Sequence, residues 1–284
     1  MIKRLSSYAK LNWFLKVHSK KNNYHKLTTL ISLIDLKDEI VIKSNKLKVS
    51  KCYFKGEFQS KVQNNTILKL LRLLKIRFPI LKDKNFNIYI KKNIPSGSGL
   101  GGASSNATAI FNFLVKKYKL NISRKDSLKL LGEVGKDCPV FLNKKTKLVK
   151  SFGEDLFELN KKFKFQILLI NANIHLSTRD VFNKNNSYSK QVHFSYLKNI
   201  DQKTIINTSR TLGNDLIKPA LKVKPKLHKI ILLIDGLKDK KYYSMTGSGS
   251  TFFVVFNNKK ALLNAKKIIK KQHGSFWTAA VNTI

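Results

Sequence analysis

Between Pro95 and Ser105 the chain reads P-S-G-S-G-L-G-G-A-S-S, with four glycines in the six positions from Gly97 to Gly102. Glycine lacks the Cβ that keeps a backbone away from a ligand, so the amides of such a loop can close around an anion. The pattern from Ser104 through Lys116 is helical, so loop amides and a helix N-terminus converge on one place. That construction binds phosphate. The plain alternative is a strand-to-helix turn without a ligand. The hydroxyls of Ser104 and Ser105, suited to phosphate or magnesium contact, argue against it.

Three familiar phosphate machines fail on their missing partners. Gly97, Gly99 and Gly102 satisfy G-x-G-x-x-G, but a dinucleotide fold also needs an acidic residue about 20 positions on, at a strand end. The next acidic residue is Asp126, inside a helical pattern where it has a capping role of its own. In a P-loop the lysine would stand where Ala103 stands. A protein kinase would need a strand lysine after the loop and an H-R-D-type segment, and neither is present.

Two further groups could join such a loop in chemistry. Asp137 lies in G-K-D-C-P, between Gly135 and Pro139, where a bent backbone would aim a carboxylate; an ordinary helix-exit residue is the alternative. Residues Tyr8 to Val17 alternate as a strand, which puts Lys10 and Asn12 side by side on one face. His175 and His193 have no metal-like spacing and read as structural.

The elements that must hold these groups are mixed. Turn chemistry at Asn22-Asn23 separates the first strand from an extended run over His25 to Leu36. Short strands are expected at Asp38–Lys43 and Leu47–Ser50, and a helix over Asn65–Lys75 from an Asn cap. Phe86, Ile88 and Ile90 alternate into the glycine loop. Ser123 with Asp126 forms a capping box for a helix ending near Gly135. The charged stretch Asn143–Lys150 is the expected seam between two halves. Beyond it the pattern predicts strands at Phe165–Asn171 and Thr251–Phe256, helices at Lys224–Leu237 and Lys259–His273, and an exposed loop over Asn183–Gln191. Without a steady βαβ rhythm this is α+β.

The formal charge of +40 would suit nucleic acid, yet the chain has six arginines against fifty lysines, spread from end to end. Abundant Asn, Ile and Phe mark compositional drift on a solvated surface, so neither nucleic acid nor a membrane is expected as a partner. A basic nucleic-acid-binding protein with a degenerate loop is the rival from another class. Cys52 and Cys138 are too few for a disulfide framework or a structural zinc site. No apolar run reaches membrane-spanning length. A cytoplasmic setting is expected.

The loop resembles the P-x-G-x-G-L-G-S/G-S/G-A/S-S motif of the GHMP kinases, the family of galactokinase and the homoserine, mevalonate and phosphomevalonate kinases. The likeness continues in family order. A-K-L-N at Ala9–Asn12, Y-H at Tyr24-His25, L-x-T-L at Leu27–Leu30, D-L-x-D at Asp35–Asp38, G-K-D-C-P-V-F at Gly135–Phe141 and T-G-S-G-S at Thr246–Ser250 resemble its non-mevalonate isoprenoid branch. The departures are Asn22-Asn23 for the usual D-G, Ser96 and Ser98 for residues often Met and Gly, and Lys136 where a small residue is usual.

The resemblance implies a two-domain α+β GHMP kinase fold with the active site in the interdomain cleft, an ATP-binding domain at 1–150 and a C-terminal domain at 151–284. It implies ATP and Mg2+, with Pro95, Ser96, Gly97, Ser98, Gly99, Leu100, Gly101, Gly102, Ala103, Ser104 and Ser105 on the ATP. Asp137 would be the general base, held ionised by Lys10. Asn12, Tyr24, His25, Thr178 and Phe182 would bind the acceptor, with Tyr24 and Phe182 sandwiching a cytosine that His25 hydrogen-bonds. The implied reaction is phosphorylation of the 2-hydroxyl of 4-diphosphocytidyl-2-C-methyl-D-erythritol; homoserine or mevalonate is the rival acceptor. No metal-ligating residue is assigned, and a monomer or weak homodimer is expected.

Overall fold

Three helices of the chain carry residues at the same spacing, all apolar except Ser127: Ile67, Leu70, Leu71, Leu74; then Ala107, Ile110, Phe111, Leu114; then Ser127, Leu130, Leu131, Val134. That i, i+3, i+4, i+7 spacing makes one apolar stripe per helix. In the computed structural model, which describes residues 2–22, 24–58, 66–151, 153, 155–192 and 194–284, these stripes are buried. The chain forms two compact units, each assembled from several stretches: Met1–Ala9, Leu36–Ser96 and Gly101–Asn143 in the first, Lys10–Asp35, Gly97–Leu100 and Lys144–Ile284 in the second. The expected domains, 1–150 and 151–284, are by contrast single stretches. The last passage of the chain from the first unit to the second, at Asn143 and Lys144, falls at the edge of the expected seam.

In the first unit, β1 (Ile2–Lys21) begins and β2 (Tyr24–Asn45) ends, followed by β3 (Lys51–Lys55), α1 (Thr66–Arg77), β4 (Asn85–Lys91), α2 (Gly102–Lys117) and α3 (Arg124–Val134). The β2 end runs antiparallel to β4, from Glu39 opposite Lys91 to Asn45 opposite Asn85, and β3 lies parallel to β4. Period two decides the faces. Ile40, Ile42, Phe86, Ile88 and Ile90 pack with the three helical stripes in one core, while Lys43, Lys51, Lys55 and Lys91 are exposed.

In the second unit, β2 continues its ladder as Leu27–Ile31 against β5 (Thr146–Ser151), and β5 pairs with β6 (Asp155–Leu159). A four-stranded antiparallel sheet follows in the order β10-β7-β9-β8, made by β7 (Gln166–Asn171), β8 (Lys240–Met245), β9 (Phe252–Phe256) and β10 (Trp277–Asn282). The helices of this unit are α4 (Thr178–Asn183), α5 (Phe194–Lys198), α6 (Ile205–Leu212), α7 (Ile217–Val223), α8 (His228–Asp235) and α9 (Lys259–Gln272). Every residue of β9 is buried, and its Phe252, Val254 and Phe256 join Leu15 and Val17 of β1, Ile230 and Ile234 of α8 and Leu262 and Ile269 of α9 in one core.

The structure departs from the sequence reading at several places. The two extended runs expected at His25–Leu36 and Asp38–Lys43 are one strand, because Asp38 at their junction is buried within it. The strand expected at Leu47–Ser50 forms at Lys51–Lys55 instead, where its residues pair with β4. The charged seam contains β5, in which Lys147 is buried and its ammonium donates to the Lys145 carbonyl at 2.7 Å. The helix expected over Lys224–Leu237 starts as a single 3-10 turn at Pro225–Leu227 before α8. Of the exposed loop expected over Asn183–Gln191, Asn183 instead closes α4 and Asn185 is buried, while the rest is irregular but not free. Ser189 donates its amide to the Val17 carbonyl at 2.8 Å and its hydroxyl to Asp215 at 2.8 Å. Asn22 adopts positive φ, as the turn requires; Asn23, Asn65 and His193 lie outside the described residues.

Candidate active site

Within the first unit, Asp38 organises the approach to the glycine loop. Its fully buried carboxylate accepts from the amides of Asn93 and Ile94 at 2.8 and 2.9 Å, from Asn106 Nδ2 at 3.0 Å and from the Lys92 ammonium. A carboxylate in such a place is tolerable only when its charge is paired and its lone pairs are occupied. One side chain thereby fixes both the strand exit before the loop and Asn106 in the second turn of α2.

Gly101 begins α2 with φ of 73°, and no side chain caps the helix. At α3, Ser123 accepts from the Asp126 amide, matching the expected capping box, and Ser177 and Asn258 close the starts of α4 and α9 in the same way, whereas α6, α7 and α8 share with α2 the lack of a side-chain cap. The first-turn amides of α2 therefore keep their capacity for an outside acceptor. Ser105 is different. Its buried hydroxyl donates to the Tyr8 carbonyl and accepts from Ser7, both at 2.7 Å, so it ties α2 to β1.

Asp137 stands at the start of a 3-10 turn, Cys138–Phe141, opened by Pro139. Thr108 Oγ1 donates to the carbonyls of Ser104 and Cys138, each at 2.9 Å, so the turn and the first turns of α2 are joined. Asn112 adds a bond to the Leu142 carbonyl at 3.1 Å. Burial pushes the Cys138 thiol up to about 11, against a hydrogen bond from Ser104, so this cysteine is packing rather than a nucleophile. Asp137 itself is exposed, and among the described residues its carboxylate accepts no hydrogen bond.

Within the second unit, Lys10 and Asn12 share a strand face as the alternation requires, and the Lys10 ammonium donates to Asn12 Oδ1. Both are buried. Asn12 also donates to Thr29 Oγ1 at 2.8 Å and accepts from Thr246 Oγ1 at 3.3 Å, so it holds the lysine in a polar network. The Lys10 amide donates to the Leu100 carbonyl at 3.0 Å.

Two glycine loops meet in this unit. The Thr251 amide donates to the Ser98 carbonyl at 3.2 Å, and a Cβ on Gly99 would lie 2.1 Å from the Thr246 carbonyl oxygen. With φ of 79° as well, that position admits only glycine. Asn214 fixes the second loop through Nδ2, which donates to the carbonyls of Met245 and Gly247 at 2.7 and 2.9 Å. Thr178 joins it at Ser248, hydroxyl to hydroxyl at 3.0 Å.

His25 and Phe182 are brought together, with ring centroids 4.7 Å apart and planes 32° from parallel. Burial, then the charge of Lys20, holds the His25 imidazole below its ordinary value, so it is neutral at pH 7. Its Nε2 is buried without a hydrogen-bond partner among the described residues. Tyr24 beside it is exposed.

Sequence reasoning named Lys10, Asn12, Asp137, Thr178 and Phe182 but gave no role to Asn214 or Thr246. Asp38 entered only as a motif letter, and its charged neighbours Lys37 and Glu39 gave no signal that it alone is buried. Among the described residues no group of three or more His, Cys, Asp or Glu side chains converges as a metal site, and no helix is long and apolar enough to cross a membrane.

The family model described as "GHMP kinases N terminal domain" matches residues 65–144, which hold the α2 loop and Asp137. The chain is 34% identical over 291 residues to a protein of Pelagibacter ubique (strain HTCC1062) named 4-diphosphocytidyl-2-C-methyl-D-erythritol kinase, covering 99% of each chain. A protein of the same name from Prochlorococcus marinus (strain MIT 9515) is 32% identical, with 96% of this chain and 90% of that one covered. Among solved structures, a 4-(cytidine 5'-diphospho)-2C-methyl-D-erythritol kinase superposes with a TM-score of 0.78 at 21% identity over the whole of both chains. An L. major mevalonate kinase superposes with a TM-score of 0.68 at 14% identity, over 99% of this chain and 95% of that one. The fold is thus the two-domain α+β fold of these kinases, and the chain belongs to the GHMP kinase family, in the branch whose members are named 4-diphosphocytidyl-2-C-methyl-D-erythritol kinase.

Proposed function

We propose that this protein transfers the γ-phosphoryl group of ATP to the 2-hydroxyl of 4-diphosphocytidyl-2-C-methyl-D-erythritol, a step in isoprenoid precursor biosynthesis. The observation that carries the reading is the joining of the uncapped α2 start to the Asp137 turn through Thr108. Amides able to hold phosphate and an unengaged carboxylate then belong to one rigid piece. The loop from Pro95 to Ser105 takes the triphosphate, and its glycines let the backbone approach. Asp137 accepts the proton of the acceptor hydroxyl while that oxygen bonds to the γ-phosphorus. The bond from the γ-phosphorus to the β–γ bridging oxygen breaks, and ADP leaves.

Phosphoryl transfer asks a protein mainly for alignment and charge. Lys10, held by Asn12, supplies positive charge that offsets phosphate charge. Asn12 thereby serves acceptor binding from beneath. Phe182 and Tyr24 stack on the cytosine, His25 offers its open Nε2 to the base, and Thr178 contributes a hydroxyl. Mg2+ is taken to arrive with ATP, held by its phosphates. When bound, Mg2+ neutralises charge on the β- and γ-phosphates.

The test is ADP release from Mg-ATP with three acceptors offered separately: the cytidylated methylerythritol, homoserine and mevalonate. Turnover with the first alone is expected. Turnover only with homoserine or mevalonate would overturn the acceptor assignment, and turnover with none would overturn the enzyme reading.

A further inference from the structure

We propose that His175 is a phosphate ligand of the glycine loop, a residue that positions one of the two nucleotide substrates. The proposal rests on the reading above, in which the loop holds phosphate. The residues on each side of His175 are held against the second glycine loop. The Ser250 hydroxyl donates to the Ile174 carbonyl, and Leu176 is buried where a Cβ on Gly249 would lie 3.0 Å from its Cδ1. Held between these anchors, the His175 side chain reaches the first loop. A Cβ built on Gly97 would stand 2.8 Å from both Cδ2 and Nε2 of the imidazole. The ring therefore lies against the Gly97 backbone, and with φ of 62° there, Gly97 is glycine for two reasons.

Such a placement is hard to explain as packing. His175 is exposed, and among the described residues neither ring nitrogen has a hydrogen-bond partner. An imidazole fixed beside phosphate-binding amides, with its nitrogens open, offers an N–H to a phosphate oxygen in either protonation state. Two phosphate chains are available: that of ATP and the diphosphate of the cytidylated acceptor. Thr178, three residues on, is placed on the acceptor, so the two sources need separate arms in the test.

Binding of MgADP and of CDP should be measured by calorimetry for wild type, His175→Ala and His175→Gln, with KM and kcat for ATP and acceptor measured in parallel. Loss of a hydrogen bond to a charged group predicts a Kd about tenfold weaker for one nucleotide in His175→Ala. The matching KM should rise more than kcat falls, and His175→Gln should recover part of the loss. A weaker MgADP Kd assigns the residue to the donor, a weaker CDP Kd to the acceptor. Unchanged Kd values for both would overturn the proposal while leaving the kinase reading intact. A wild-type protein that binds neither nucleotide would overturn both. Independently, Gly97→Ala should cost more affinity in wild type than in His175→Ala, because only the former has a ring for the methyl to strike. Equal costs would contradict the geometry.

Discussion

Two aspartates of the first unit, Asp38 and Asp137, have opposite surroundings. Asp38 is fully buried and both its oxygens are occupied, by Lys92, Asn93, Ile94 and Asn106. Asp137 is exposed and accepts no hydrogen bond among the described residues. A carboxylate with every lone pair engaged can only hold structure. One with open lone pairs, aimed by a turn that is itself pinned to α2, is able to take a proton. Under the proposed function, one unit thus uses the same side chain for scaffold at Asp38 and for chemistry at Asp137.

The sharpest way to break the comparison is to remove the carboxylate charge at each site in turn. Asp137→Asn should lower kcat by a factor of about 10² to 10⁴, the usual worth of a general base, and leave ATP binding largely intact. Near-normal turnover in that variant would remove Asp137 from its role. Asp38→Asn should act instead on folding. Breaking a buried ion pair from one side costs about 3–5 kcal/mol, read as a lower urea midpoint, whereas Asp137→Asn should stay within about 0.5 kcal/mol of wild type. Equal stability losses in the two variants would erase the distinction.

A smaller effect belongs to the second unit. Phe182→Ala should raise KM for the cytidylated acceptor by roughly 5- to 150-fold, as expected from about 1–3 kcal/mol of base stacking, with KM for ATP little changed. The smallest is a pH effect at His25. Its folded-state value lies below the ordinary 6.5, so the unfolded chain binds the proton first. His25 therefore contributes a loss of stability that develops as pH falls from 6.5 through the lowered value, and none above it. The stability difference between wild type and His25→Gln should be flat from pH 8 to 7 and shift against wild type below that. A difference that is flat to pH 5 would show that His25 is not held neutral.

Much of the fold was legible where periodicity was strong. The stripes of α2 and α3, the alternation of β4 into the loop, and the Ser123 capping box were all visible in residue order. What failed did so where pairing overrides composition. The lysines around Lys147 mark a surface until β2 and β6 flank them as strands. Asp38 stands in the charged patch Asp35–Glu39, which reads as a break on paper, yet a partner lysine fifty-four residues on lets it stay inside the strand. At the site, Lys10 and Asn12 were legible because period two puts them on one face. His175 was not. Its meaning lies in Gly97, and nothing in the spacing of the two residues announces that the ring rests on the loop.

The central claim, phosphoryl transfer to one hydroxyl of a cytidylated sugar alcohol, is tested most directly by 31P NMR of a reaction containing the protein, Mg-ATP and 4-diphosphocytidyl-2-C-methyl-D-erythritol. The account predicts a new phosphomonoester resonance on the acceptor's 2-position, growing in step with ADP and absent when Asp137→Asn replaces wild type. Phosphate released to water, or an acceptor whose diphosphate resonances alone persist while ATP stays whole, would contradict it.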